Sequence, residues 1–434
     1  MCIDREAVKL SSLKGKRNDK NLYDCVVRAF LFVFLFSSVL IPYDTFYTKK
    51  LSCAALLVLT GIYFLRKKRT MADAWIIFLG GAVPLWYTLD SVLKNTDNIS
   101  AAVGMAYPGF LLLTAILLKG FVKDYKKYYL WALKAESAII VLSVYFDIFS
   151  MLKITENPIL SWYARTENAM IGSGSYFFTY YMVFIKTSPL LLILLFDSLK
   201  KGDLFWAVIS ALACYFSGTR ANVFVMIALL VIYLSFFQKQ ARARMIFVVA
   251  ATLICLLFCN KIVDRVITIF LNKASSDATR DGHLQGMFVL WRNKPSDFFF
   301  GTGFGSSYYS YGTNRFENNV ELSYWDMIRR VGLTGFLPFM ATLLYPIAAM
   351  TIPVYPFAPK YGKWKLWTRN YDILLPYIGF LLISYTNPFL YSTTGFSFLI
   401  LLYSAILRTN ETVRGETGTL PLRALGSAME TAET

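Results

Sequence analysis

Apolar runs of roughly 17–25 residues recur along most of the chain, each set off from the next by a short basic or turn-forming segment. No other feature constrains the fold as tightly. A bilayer core offers no partner to an unpaired backbone N–H or C=O, so runs of this length that enter it must be helical. A length of 434 residues would otherwise suggest several soluble domains. With 56% hydrophobic and only 16% charged residues, the chain cannot cover such domains with polar surface. The expected fold is all-α: a polytopic integral membrane protein with about 12 transmembrane helices and one long outer loop.

The runs place spans at about 24–42, 50–65, 72–93, 101–121, 128–149, 176–199, 203–217, 221–237, 245–262, 332–352, 371–388 and 393–407. The chain then divides into a polar, basic segment 1–23, transmembrane helices over 24–262 with a loop at 150–175, a long loop over 263–331, further transmembrane helices over 332–407, and a tail 408–434. The tail is rich in Thr, Ala, Gly and Glu without a hydrophobic pattern and is expected to be disordered. The first apolar run is too long for a cleaved signal core and lacks a small-residue cleavage site, so it reads as an anchor.

Lysine and arginine mark alternate sides. About 26 fall in the two terminal segments and in Arg66–Arg69, Lys119–Lys127, Lys200–Lys201, Lys239–Arg244 and Lys360–Arg369, against about six in the intervening short loops. Both termini are then cytoplasmic, and loops 150–175 and 263–331 face outward. The net charge of +17 is topology punctuation and not a nucleic-acid patch. Six cysteines lie in or beside apolar runs or near the N-terminus, with no C-x-x-C or Cys/His spacing, so neither a disulfide framework nor a metal site is expected.

Polar chemistry gathers in the long loop. Arg280 and His283, the only histidine, share a helical face at i, i+3, with Arg292 further along and near that face. Arginines present a planar, permanently charged fork to phosphate. Gly301, Gly303 and Gly305 form a turn like those that cradle phosphate on backbone N–H groups. It is not a nucleotide P-loop, since no Gly-Lys-Ser/Thr follows. Glu317 and Glu321 are expected on one face of a helix over 317–330, where a carboxylate can act as general base toward a sugar hydroxyl. Asp326, Arg329 and Arg330 are read as braces for that helix.

Further candidates lie outside the loop. Arg220 closes the tight turn Ser217-Gly218-Thr219-Arg220 at the outer membrane boundary. Loop 150–175 carries Glu156, Trp162, Tyr163, Arg165, Glu167 and Asn168, and its aromatics, with Tyr308 and Tyr309, suit stacking on sugar rings. Lys134 and Lys186 fall inside spans, where a lysine needs a partner or a polar cavity. A snorkelling interfacial arginine, a structural histidine, a plain tight turn and helix N-terminal acids are the bland alternatives. No Asp-x-Asp and no Walker motif occurs, so neither a metal-held nucleotide sugar nor an ATP-driven pump is indicated.

The Ser-x-x-Arg turn at 217–220, the long loop opening with Arg280 and carrying Trp291-Arg292, the turn 301–305, and the polar segment running into Gly332-x-x-Gly335 together resemble the O-antigen polymerase and ligase superfamily, with the Wzy-type polymerases the closer match. The resemblance covers 217–222 and 278–336 plus the twelve-span layout. It implies a glycosyltransferase at the periplasmic face of the bacterial inner membrane, without metal or cofactor. The donor would be an undecaprenyl-diphosphate-linked oligosaccharide and the acceptor a hydroxyl of a lipid-linked repeat unit. A chain-length regulator and a flippase are the expected partners.

Carried over by position, Arg220 and Arg280, with Arg292, would hold the donor diphosphate. Ligases of the superfamily carry a histidine just before the late span, and this chain has Glu317, Asn318, Asn319 and Glu321 there. The expected activity is therefore repeat-unit polymerisation with Glu321, Glu317 or His283 as base. A ligase acting on lipid A-core and a lipid-linked oligosaccharide transporter are the rivals.

Overall fold

The computed structural model describes residues 3–41, 46–66, 71–95, 98–148, 165, 170–175, 179–217, 219–237, 274–351 and 363–417. Among these, helices predominate and sheet is confined to two short antiparallel hairpins. Six helical stretches are long and apolar enough to cross a membrane: Leu22–Leu40, Thr48–Arg66, Asp73–Lys94, Ile99–Tyr145, Arg220–Phe237 and Ser323–Met350. Shorter apolar helices, Leu204–Phe216, Tyr371–Ile383 and Thr393–Arg408, complete the apolar set among the described residues.

The surface is inverted relative to a protein in water. On Thr48–Arg66, Leu51, Val58 and Leu65 are 69%, 64% and 83% exposed, whereas Lys49, Ser52 and Thr60 are buried. Acyl chains cover such apolar side chains, and the polar ones find partners inside the bundle. The chain is an α-helical membrane protein.

The stretch Ile99–Tyr145 is folded back on itself. Thr187 Oγ1 donates to both the Val39 carbonyl and Glu136 Oε1, and Thr394 reaches the neighbouring Ser38 carbonyl. Tyr391, just before Thr394, donates to the carbonyl of Ala106. Ala106 and Glu136 thus lie on the same side of the 3-10 turn Lys119–Phe121, where the stretch reverses.

The stretch Asp73–Lys94 sets the distance between the two ends. Asp73 accepts from Lys119 at one end, and Lys94 donates to the carbonyls of Phe300 and Gly301 at the other. At 1.5 Å per residue these ends are about 30 Å apart, the thickness of a bilayer core.

Two expectations are corrected. The run 176–199 is not one span: Met170–Ser175 pairs with Thr179–Phe184 in register Met170↔Phe184 to Ser175↔Thr179, and only Leu191–Lys201 is α-helical after a 3-10 turn. The second strand, TYYMVF, is rich in aromatic and β-branched residues, and hydrophobicity alone does not separate strand from helix. Lys186 consequently sits between hairpin and helix and not mid-span. The helix expected over 317–330 begins instead at Ser323. The expected span 245–262 lies outside the described residues.

Candidate functional site

Helix Ser323–Thr351 is two helices joined at a break. Gly332 has φ 67 and ψ 176, a backbone conformation open essentially to glycine alone. The break frees the carbonyls of Arg329 and Arg330, which accept from Thr302 N–H and Gly303 N–H, both at 2.8 Å. The approach requires glycine on each side. A Cβ on Gly301 would lie 2.3 Å from the Arg330 oxygen, and one on Gly332 2.3 Å from the Phe299 oxygen.

Asn95 Nδ2 donates to the carbonyls of Thr302 and Phe304, fixing the same turn to the end of the Asp73–Lys94 stretch. Gly303 and Gly305, at φ 86 and 85, let it lie against Ser91–Asn95 and Ala102. Gly301 N–H donates to Asp297 and Phe304 N–H to Ser91 Oγ, so the N–H groups from Gly301 to Phe304 are all engaged within the protein. The glycine turn therefore plugs the helix break and does not cradle phosphate.

A polar cap is built on this plug. Helix Ala274–Asn293 carries the hairpin Tyr308–Ser310/Arg315–Glu317 in register Tyr308↔Glu317 and Ser310↔Arg315. Gly282 and Gly286 make the contact possible, since a Cβ there would meet Gly312 N at 2.2 Å and Tyr309 O at 2.3 Å. Met287, Trp291, Tyr308 and Val320 form a small core between them, flanked by Trp325. His283 lies on the same face, 6% exposed, with Nδ1 2.7 Å from Ser310 Oγ. Burial holds its pKa below the ordinary histidine value, against the opposing pull of Glu317, Glu321 and Asp326.

Below the hairpin stand Arg329 and Arg330. Arg329 is fully buried. It donates to Asp326 Oδ1 at 2.9 and 2.7 Å, to the Ser306 carbonyl at 3.1 Å, to Ser306 Oγ at 2.8 Å and to the Asn318 carbonyl at 3.1 Å. The Tyr308 ring lies 4.9 Å from its guanidinium. Arg330 shares Asp326 at 2.6 Å and reaches the Asn318 carbonyl at 2.9 Å and Asn319 Oδ1 at 3.1 Å. Its buried Nε has no hydrogen-bond partner among the described residues. One aspartate facing two guanidinium groups leaves an excess positive charge in a nearly dry place.

That excess faces a cavity of about 290 Å³, lined by Arg330, Asn319, Lys49, Lys50, Tyr107 and Tyr391 among others, with no carboxylate in its wall among the described residues. Lys49 is only 4% exposed, and Lys50 rests 4.9 Å from the Tyr47 ring. A low-dielectric wall strengthens the attraction of such cations for an anion. The cavity sits at the cap end of the bundle.

Of the expected site residues, the structure brings Arg280 and Glu321 together, Nη2 to Oε2 at 3.2 Å, while Arg280 Nη1 reaches Asp277 at 3.3 Å. Glu321 is the more open partner, its side chain 57% exposed. Glu317 ends a hairpin strand and pairs with Arg315 at 2.7 Å, so the two glutamates do not share a helical face. Arg292 is exposed and about 18 Å along the helix axis from Arg280, too far for both to grip one diphosphate.

Arg220 opens helix Arg220–Ile232, its turn held by Asn222 Nδ2 donating to Ser188 Oγ and Ser217 Oγ at 2.8 and 3.1 Å. Tyr308 is buried under Arg329, whereas Tyr309 is exposed and clusters edge-on with Tyr311 and Phe316. Arg165 is exposed. Trp162, Tyr163, Glu156, Glu167 and Asn168 lie outside the described residues.

Sequence reasoning missed Lys49, Lys50 and the outward role of Arg330. A signal was present: lysines and arginines at the outer ends of spans run against the charge bias. Among the described residues, no group of His, Cys, Asp and Glu could hold a metal ion.

Fold and site define an α-helical membrane protein with a structured polar cap over one end of its bundle and a cationic cavity beneath it. No protein-family model and no curated protein matches the chain.

Proposed function

We propose that the chain is a metal-independent glycosyltransferase that polymerises surface-polysaccharide repeat units at the periplasmic face of the bacterial inner membrane. It moves a glycan from an undecaprenyl-diphosphate-linked donor to a hydroxyl of a lipid-linked acceptor. The observation that carries this reading is the cavity where Arg330, Lys49 and Lys50 converge, with Asn319 in its wall two residues before Glu321 of the Arg280–Glu321 pair. A diphosphate carried on a polyprenyl chain would enter at lipid-headgroup depth, which we assign to this end of the bundle.

In the reaction the acceptor oxygen bonds to the anomeric carbon. The bond from that carbon to the diphosphate oxygen breaks, its electron pair leaving with the diphosphate. The acceptor proton passes to a base. Arg330 with the two lysines offsets charge on the leaving diphosphate, which is electrostatic stabilisation by a prepared site. Glu321, open to solvent and oriented by Arg280, is the base. The buried ring of His283, bonded to Ser310, is poorly placed to meet an acceptor, which favours a polymerase over a histidine-dependent ligase. The exposed aromatics Tyr309, Tyr311 and Phe316 offer stacking faces for the glycan.

The test is surface polysaccharide on a gel from cells carrying Arg280→Ala or Arg330→Gln, with protein level checked. Collapse of the ladder to a single repeat on lipid A-core supports polymerisation. Loss of all polymer from lipid A-core while lipid-linked chains accumulate identifies a ligase. An unchanged ladder with both variants overturns the site and favours a transporter.

A further inference from the structure

A second cavity, of about 420 Å³, lies at the end of the bundle away from the cap, lined by Lys123, Lys126, Lys127, Lys134 and Lys201 with Asp197 and Asp203. Its lysines divide by partner. Lys126 and Lys201 are neutralised by Asp197 at 2.8 and 2.6 Å, and Lys126 also by Asp372 at 2.7 Å. Asp203 caps helix Leu204–Phe216, accepting from Trp206 N–H, and keeps its negative charge in the wall.

Lys123, Lys127 and Lys134 remain. They fall on one stripe of helix Val122–Ile148, at i, i+4 and i+11. Lys127 and Lys134 rest on the faces of Trp131 and Trp206, each 4.7 Å from the ring. None of the three has a carboxylate partner among the described residues. With five ammonium groups against two carboxylates the wall carries an excess of positive charge, and an anion seated among the lysines offsets it.

The neighbouring surface says what kind of anion fits. Leu204 and Phe205 are 71% and 66% exposed and Trp131 is 46% exposed, an apolar flank immediately beside the lysines. An occupant that satisfies both is an amphiphile with an anionic head.

We propose that this cavity binds the phosphodiester headgroup of an anionic glycerophospholipid in the leaflet facing away from the cap, with its acyl chains against Leu204 and Phe205. The site is independent of the glycosyltransferase chemistry. Each lysine near an anionic headgroup contributes about fivefold to binding, so losing the row costs about a hundredfold.

The test uses the full chain purified in detergent and titrated with phosphatidylglycerol or phosphatidylcholine, binding read by native mass spectrometry and by the shift in melting temperature. Wild type is expected to retain phosphatidylglycerol over phosphatidylcholine. The triple variant Lys123→Gln, Lys127→Gln, Lys134→Gln loses that preference, and the matching triple arginine variant keeps it. The single glutamine variants leave the Asp197 and Asp372 pairs intact and are each expected to weaken binding about fivefold. Lys294→Gln, on the cap, serves as the control and leaves binding unchanged. Equal retention of both lipids by wild type, or an unaltered preference in the glutamine variants, overturns the proposal. Binding of glycerol phosphate or inorganic phosphate as tight as that of phosphatidylglycerol overturns the lipid assignment, because the acyl chains would then contribute nothing.

Discussion

Arg329 and Arg330 are neighbours that share Asp326, yet their surroundings assign them different work. Arg329→Met keeps an apolar stem and removes the guanidinium, which lies over the Tyr308 ring. The Ser306 carbonyl then loses its Arg329 donor, and Asp326 keeps only Arg330. Removing one partner of a buried charge network costs about 3–5 kcal/mol. In Arg330→Met, Asp326 Oδ1 and the Asn318 carbonyl keep Arg329, while Asp326 Oδ2 and Asn319 Oδ1 lose their Arg330 donor. That costs less than the loss of Arg329, which also holds both oxygens of Ser306, but it strips the cavity of one of its buried cations, for which a loss of about 10²–10³ in rate is expected. Thermal unfolding followed by tryptophan fluorescence reads the first effect, because Trp291 and Trp325 sit in the small core under the hairpin. The polysaccharide ladder reads the second. The expected result is a cap that melts early in Arg329→Met, and a stable protein with a collapsed ladder in Arg330→Met. Equal destabilisation by both variants, or a full ladder with Arg330→Met, would refute this division of roles.

Gly332→Ala forces an L-residue into a backbone region that costs about 1–3 kcal/mol, with a Cβ 2.3 Å from the Phe299 oxygen; early melting of the purified protein is expected. His283 gives a pH signature. The unfolded chain protonates this ring near pH ~6.5, while burial holds the folded ring neutral to lower pH, so the folded state binds fewer protons in that window. Its contribution is full above pH ~6.5 and is lost as pH falls through the lower folded value. Between pH 8 and 5 wild type is expected to lose stability more steeply than His283→Gln, the difference between their melting temperatures changing only in the acidic half. Arg292→Ala, exposed and distant from Arg280, is expected to leave the ladder intact, and a collapsed ladder would restore it to the site. Glu321→Gln, which keeps the side-chain length and removes the basic oxygen, is expected to abolish polymer while leaving the melting temperature nearly unchanged.

What was legible in the sequence follows the range of the forces involved. The long apolar runs announced membrane helices because the bilayer demands local hydrogen bonding. Arg280 and Glu321 stood out as charges in a loop, and they meet. The strand Thr179–Phe184 was hidden inside an apolar run that reads equally as helix. The glycines at 301–305 were visible, but their task was not, because the helix break they plug lies at Gly332 and is closed by backbone contacts between distant segments. Lys49, Arg330 and Tyr391 come together only in the folded bundle, and no local pattern joins them. Glu317 misled because four-residue spacing means a shared face only on a helix, and this residue ends a strand.

The most direct measurement of the central claim is polymerisation by the purified protein in lipid nanodiscs, supplied with lipid-linked repeat units extracted from cells that lack the chain. The expected result is a ladder of lipid-linked products that forms with a metal chelator present and without nucleotide, and that Arg330→Gln abolishes. Lipid-linked repeat units that stay unextended by the wild-type protein while crossing the bilayer would contradict it, and would make the chain a carrier.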